Sequence, residues 1–498
     1  MQDRKWPALA VVALGTFMTA LDASIVNISL PSIAHTFGAP MAGAIEWVVI
    51  AYLAVIAASL VTFGRLSDVV GRTPVWMTGL MVFTLGSAAC GAAGSLVQLI
   101  VARVVQGIGA ALIFAPSFAI ITDAFPADVR GRALGLNSVV FALATSLGPT
   151  LGGLITAHVS WRWVFYLNVP LGVIGLIVSR RVLPHSEARG REPLDLPGAA
   201  LIAVAFASMT LTLSFIHEWS WPALSSCLAI GIVATLGAAA LERRARSPIV
   251  DLALFREPTL RSALGSMTIA MLALFAVGFL LPFYFEELRG FSVEQSGLLL
   301  TPLPLVLAVV APLSGTLADR VGSRWLACGG LALATLGLVL LARLDQASTV
   351  AEIVGCLVLT GLGQGMFQSP NARALMNASP PGEQGQTSSL YVTARVVGQS
   401  VSVALAGTVF AALGGASAGQ ALALARSGGD ASGGVVALEQ AFVMAFRGTL
   451  LICAAIAAVG VFVAAARGEE RRADDTGPSP ARPPSDGHLA HLPGNISQ

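Results

Sequence analysis

Apolar stretches of about twenty residues recur along this chain, centred near residues 19, 55, 84, 107, 145, 172, 206, 232, 273, 305, 333, 360, 400 and 456. Short polar or Gly/Pro-containing turns separate them. A stretch of that length lets one helix cross ~30 Å of hydrocarbon with its backbone hydrogen bonds satisfied internally. Residues of hydrophobic type make up 55% of the 498 positions and charged ones 11%. An average soluble domain carries roughly a quarter charged residues, and no soluble fold of this length could hide so much apolar surface. The expected fold is therefore all-α and integral to the membrane, with fourteen spans.

The basic residues test that count. An even number of spans puts both termini on one side, and Lys and Arg should gather on the loops facing the cytoplasm. With the amino terminus placed there, 22 basic residues fall inside, 5 outside, and 2 (Arg103 and Arg395) within spans. The charged start, Met1 to Trp6, precedes an apolar run too long for a signal-peptide core, so that run is expected to stay as the first span. From about Arg467 the composition turns to Arg, Asp, Glu, Pro and Ser, which predicts a disordered cytoplasmic tail.

Several function classes fall away at this point. A net charge of +2 without a basic patch gives no reason to expect nucleic acid. All five cysteines lie in apolar stretches far apart, and the six histidines show no metal-ligand spacing. Gly361-Leu362-Gly363-Gln364-Gly365 sits inside a span with no preceding strand, and no Gly-Lys-Ser/Thr phosphate loop occurs. Neither an enzyme nor a nucleotide-driven pump is expected, and no cofactor or metal.

An internal repeat organises the spans. Gly64-Arg65-Leu66-Ser67-Asp68-Val69-Val70-Gly71 matches Gly315-Thr316-Leu317-Ala318-Asp319-Arg320-Val321-Gly322 at five of eight positions, 315 − 64 = 251 residues apart. Gly107, Gly109 and Pro116 match Gly361, Gly363 and Pro370, each at an offset of 254. Span n thus pairs with span n + 8 in the same direction. Residues 1–182 form a six-helix half, 183–258 a linker with two inserted helices, 259–466 the second half, and 467–498 the tail. Two parallel halves around a central site are a transporter architecture.

Against that symmetry two charges stand out. Asp22 lies about 15 residues, or ~22 Å, along span 1, and Arg103 about seven residues, or ~10 Å, from the outer end of the antiparallel span 4. They share a depth. Their repeat counterparts are near Ala273 and Leu357, so a need common to both halves does not explain them. Low dielectric disfavours an isolated carboxylate, so an exchangeable pair follows, with Arg103 holding Asp22 ionised in one state and a proton releasing it in the other. A static buried ion pair is the plainer alternative.

Other positions carry weaker expectations. Asp68 and Arg72 are read in a tight turn between spans 2 and 3, where Asp68 could cap a helix and pair with Arg to lock the cytoplasmic side; Gly64, Gly71 and Asp319 belong to the same gate. Gly148, Pro149, Gly152 and Gly153 suggest a kinked, closely packed seam between the halves. Asn27, Gln106 and Gln364 could line a central cavity. Arg395 could meet an anionic part of a substrate or a helix carboxyl end; Phe141 holds its place in the first half. Glu46, beside Trp47, and the pair Glu286 and Glu287 read as solvated interfacial charges.

The Gly64–Arg72 segment, GxLxDxxGR, resembles the signature of the major facilitator superfamily. Leu21-Asp22-Ala23-Ser24-Ile25-Val26-Asn27-Ile28-Ser29-Leu30-Pro31 is similar to span 1 of its fourteen-helix drug:proton antiporter branch. Arg103-Val104-Val105-Gln106-Gly107-Ile108-Gly109 resembles the proton-coupling helix of that family. Gly148-Pro149-Thr150-Leu151-Gly152-Gly153 resembles its antiporter motif, with Ala144 where another Gly is usual, and Trp161 to Pro170 also looks like this branch. The resemblance implies a monomeric transporter in a bacterial inner membrane. It would exchange small hydrophobic or amphiphilic compounds for protons and draw on the gradient alone. An exporter dedicated to one self-made metabolite and a lipid flippase share the fold, and so does uptake by symport, against which the span 5 resemblance weighs.

Overall fold

The computed structural model describes residues 5–39, 44–183, 196–215, 219–242, 256–379, 384–426 and 434–467. The tail beyond 467 lies outside these residues, as do 184–195, 216–218 and 243–255 of the linker expected between the halves.

Among the described residues every regular element is helical. In the first half these are α1 (Lys5–Phe37), α2 (Trp47–Val70), α3 (Arg72–Ala92), α4 (Leu96–Ala124), α5 (Ala127–His158), the short α6 (Arg162–Tyr166) and α7 (Asn168–Val182). Then come α8 (Leu196–Ser214) and α9 (Trp221–Glu242). The remainder holds α10 (Pro258–Phe283), α11 (Val293–Leu300), α12 (Pro302–Val321), α13 (Ser323–Leu341), α14 (Val350–Asn377), α15 (Gln384–Ala412), α16 (Gly415–Arg426) and α17 (Val435–Ala465). A π-helical turn, Tyr284–Leu288, extends α10 just past Pro282, whose missing backbone donor loosens the helical ladder there.

Polar side chains fix the starts of several helices. Ser95 accepts from the Gln98 backbone N–H at 3.3 Å, and both Ser292 with Gln295 and Thr349 with Glu352 form reciprocal capping boxes. Each supplies partners for backbone groups that the first helical turn leaves open.

The described residues hold most of the fourteen expected spans. Among the described residues twelve helices are long and apolar enough to cross a membrane, or thirteen when the pair Ala44–Leu60 and Thr62–Val70, bent by 53°, is taken as one span. The span expected near residue 206 is α8 (Leu196–Ser214), within which the described apolar stretch is Ala200–Leu213. The 19 residues of α8 rise ~28 Å, close to the ~30 Å that a span needs.

Packing repeats between the halves. Helix α1 packs on α5, α2 on α4 and α3 on α4; likewise α10 packs on α15, α12 on α14 and α13 on α14. Close approach depends on glycine in both. A Cβ at Gly109 would stand 2.6 Å from the Phe83 Cα, and one at Gly363 would stand 2.6 Å from the Gly330 carbonyl oxygen. Helices α8 and α9 pack against each other, and α8 reaches α2 and α15. The cores of both halves merge into one apolar cluster running from Ala8 to Ala457. Many bulky apolar side chains point outward, among them Leu85, Val97, Val233 and Phe462. A bilayer, not water, suits that exterior.

Candidate functional site

Asp22 and Arg103 meet. From opposite helices, α1 and α4, they come within 2.5 Å, Arg103 Nη1 donating to Asp22 Oδ2, with side chains 0% and 1% exposed. Gln106 Nε2 donates to Asp22 Oδ1 at 2.8 Å and to Ser87 Oγ at 2.6 Å, while its Oε1 accepts from Arg103 Nη1 at 2.6 Å. Asn168 Nδ2, at the start of α7, donates to Asp22 Oδ1 at 3.3 Å and to Ser87 Oγ at 3.1 Å. Arg103 Nε donates to the Val48 carbonyl at 2.7 Å, and the guanidinium lies 4.1 Å from the Tyr52 ring centroid. Five helices thus contribute to one charge cluster. Each formal charge has a counter-charge and further hydrogen-bond partners, the condition under which ions tolerate a low dielectric.

Gln106 therefore sits in this cluster and not on a cavity wall. Three residues from Arg103 on one helix, it shares the arginine's face, a relation visible in the spacing alone. Ser87, Asn168 and Tyr52 escaped sequence reading. Asn168 stands within the Trp161–Pro170 pattern, yet nothing local to it says that its amide reaches Asp22.

A cavity of about 180 Å³ opens between the halves. Asn27, Gln364 and Arg395 line it, as does Pro149. Tyr52 lines it too, so one ring separates this space from the Asp22–Arg103 pair, and its hydroxyl donates to the Thr19 carbonyl at 3.2 Å. The wall is otherwise largely apolar, with Phe114, Met271 and Phe275 among its residues. Such a lining suits an apolar or amphiphilic guest held by a few polar groups.

The glycines of α5 divide between two partners. A Cβ at Gly148 would crowd Ser24 and the Ile25 backbone, and one at Gly152 would lie 2.8 Å from the Ile25 carbonyl oxygen, so both seat α5 against α1 within the first half. Gly153 faces the other way. Its Cβ would stand 2.7 Å from the Val293 carbonyl oxygen and 3.1 Å from the Gly297 Cα, on α11 of the second half. Around it Ser146 Oγ donates to the Pro304 carbonyl at 2.9 Å, and the Thr150 and Thr301 hydroxyls are hydrogen-bonded. Nearer the Phe37 end of the bundle, His35 Nε2 and Glu287 Oε1 are 2.8 Å apart. Glu287 is 3% exposed and Glu46 1%, so neither is the solvated charge that sequence suggests; helix packing against Gly407 and the π-helical turn encloses them.

At the opposite end, Asp68 lies in the last helical turn of α2 and not in a loop, because α2 continues to Val70 before Gly71 ends it. Arg72 Nη1 donates to Asp123 Oδ2 at 2.5 Å and to the Ala119 carbonyl at 3.3 Å, whereas its contact with Asp68 Oδ1 is 3.4 Å. These partners belong to its own half, and Asp123 is one the sequence did not point to. No neighbouring heavy atom stands within 4 Å of a Cβ built on Gly64. Asp319 lies in the last turn of α12, which ends at Val321, and its side chain lies outside the described residues.

Residues 12–403 match the model of the Major Facilitator Superfamily. The chain belongs to the major facilitator superfamily. It is 34% identical to the riboflavin transporter RibZ of Clostridioides difficile, over 82% of this chain and 89% of that one. It is 33% identical to the multidrug resistance protein Stp of Mycobacterium tuberculosis, over 81% and 75% respectively. Among solved structures, a bacterial homologue of the human lysosomal transporter Spinster, in an inward-facing and unoccupied conformation, shares the fold at a TM-score of 0.65 and 16% identity, over 94% of this chain and 99% of that one. As a facilitator it is a multi-pass membrane transporter and not an enzyme.

Proposed function

We propose that this chain expels small hydrophobic or amphiphilic compounds, drugs or antibiotics among them, in exchange for protons, by alternating access of the central cavity. The Asp22–Arg103 pair carries the reading. It is sealed between helices at mid-bundle, and Tyr52 connects its surroundings to the cavity wall. A carboxylate there is stabilised either by Arg103 or by a proton, and switching between the two ties proton movement to the packing around Tyr52. No cofactor enters the cycle; moving one charge through 100 mV supplies ~2.3 kcal/mol.

The excess of arginine on alternate loops supports a Arg72 end in the cytoplasm of a bacterium, with both termini there. In that orientation the cross-half bonds of Glu287, Thr301 and Pro304 close the outer side, which supports an inward-facing cavity. Named for multidrug resistance, Stp supports a broad exporter. RibZ, named for a single compound, supports the narrower reading of a carrier for one metabolite. The transporter is expected to work as a monomer with lipid and small molecules as its partners.

Screening a host that expresses the chain against a panel of toxic compounds, with and without an uncoupler, tests this. Uncoupler-sensitive resistance is expected, and Asp22→Asn should remove it at equal expression. Resistance and substrate-induced proton release that survive in Asp22→Asn would sink the proposal.

A further inference from the structure

Among the described residues, Arg395 is the one formally charged side chain on the cavity wall. Asp22 and Arg103, the other ionised groups nearby, are withdrawn behind Tyr52 and neutralise each other. The Arg395 guanidinium lies over the Phe141 ring, 4.2 Å from its centroid, and its Nε is buried without a hydrogen-bond partner. Among the described residues no carboxylate lines the cavity, and the polar groups of the wall beside Arg395, Asn27, Gln364, Gln368 and Gln399 among them, are uncharged amides and hydroxyls. A helix carboxyl end does not account for it either, since Arg395 sits near the middle of α15.

A cation held inside a membrane protein without a counter-charge is costly, and an aromatic face offsets only part of that cost. A purely structural role would therefore be served better by an apolar side chain. The counter-charge must arrive with what the cavity binds. We propose that Arg395 is an anion-recognising side chain and that the transported compound carries an anionic oxygen group, such as a carboxylate or sulfonate, on an apolar body. The planar fork of the guanidinium suits such a group, the neighbouring amides Gln399 and Gln364 can donate to it, and Phe114, Phe141, Met271 and Phe275 accept the rest.

Arg395 and Phe141 also belong to different halves, at equivalent places in the repeat, 395 − 141 = 254 residues apart. The anion would thus be bound where the halves touch across their pseudo-symmetry axis. The inference rests on the cavity being the transport site proposed above. It makes the exchange electrogenic, because an anion leaving and a proton entering both move charge in the favourable direction.

The test uses the full-length protein in lipid nanodiscs, titrated with 1-anilinonaphthalene-8-sulfonate and with N-phenyl-1-naphthylamine, the same ring system without the sulfonate, each corrected with empty nanodiscs. The wild type should prefer the sulfonate by about tenfold or more. Arg395→Gln should remove that preference and leave the neutral probe unchanged, and Arg395→Lys should restore part of it. An equal loss for both probes, a preference that survives Arg395→Gln, or no preference in the wild type overturns the proposal. Displacement needs no variant: dodecanoate should compete for the sulfonate site and dodecanamide should not, and equal competition counts against the anion site. Equilibrium binding requires no gradient, so these results stand or fall separately from proton exchange.

Discussion

Gly71 and Gly322 stand 251 residues apart and hold nearly the same backbone shape, φ 111° and ψ 140° against φ 91° and ψ 150°. Each ends one helix and begins the next with no residue between. Side chains other than hydrogen are excluded from that region of backbone space, so Gly71→Ala and Gly322→Ala should each cost about 1–3 kcal/mol. Gly64, seven residues before Gly71 and part of the same motif, lies within α2 with open space around its Cα. Gly64→Ala should therefore be neutral or gain up to ~1 kcal/mol. Thermal unfolding of the purified variants in one detergent checks the contrast. Equal losses at positions 64 and 71 would contradict it.

Removing one member of the buried pair should hurt stability more than removing both. Arg103→Gln leaves the Asp22 carboxylate without its counter-charge and should cost about 3–5 kcal/mol, and adding Asp22→Asn should recover most of that loss. Transport coupling should stay lost in the double variant. A double variant as unstable as Arg103→Gln would show that the cluster is held chiefly by something other than charge.

Tyr52 tests the partition between the pair and the cavity. Tyr52→Phe gives up one hydrogen bond, to the Thr19 carbonyl, and keeps the ring over Arg103; a loss of about 0.5–1.5 kcal/mol is expected with coupling retained. Tyr52→Ala opens the wall. Proteoliposomes carrying it should leak protons without substrate, read with a pH-sensitive dye, and tight vesicles would count against Tyr52 as the barrier.

The His35–Glu287 contact joins α1 to the π-helical turn after α10. Separating these elements is required if the cavity is to open at the Phe37 end. With the five native cysteines replaced, His35→Cys combined with Glu287→Cys and bridged by a short bifunctional methanethiosulfonate should stop transport. Reduction should restore it. Unimpaired transport in fully bridged protein would place the moving seam elsewhere.

Much of this architecture was legible in one dimension because lipid imposes a one-dimensional rule: a span must be long, apolar and internally hydrogen-bonded. That rule gave the bundle, with twelve or thirteen of the fourteen expected spans found among the described residues. Counting residues along antiparallel helices also put Asp22 and Arg103 at one depth, because rise per residue is fixed.

Depth, however, says nothing about which way a side chain turns or which helices are neighbours. Gln106 shares Arg103's face by its spacing alone, but that Ser87 on α3 and Asn168 on α7 close the same cluster depends on how three more helices pack. Arg395 and Phe141 could be matched by the repeat, yet matching positions are not contacts; they touch only because the two halves meet there. The sequence by itself determined the helices, their pairing into halves and the depth of the buried charges, all of which follow from local hydrogen bonding and hydropathy. The tertiary structure alone decided the partners of each charge and the single uncompensated cation of the cavity, because those depend on rotations and contacts between helices distant in the chain.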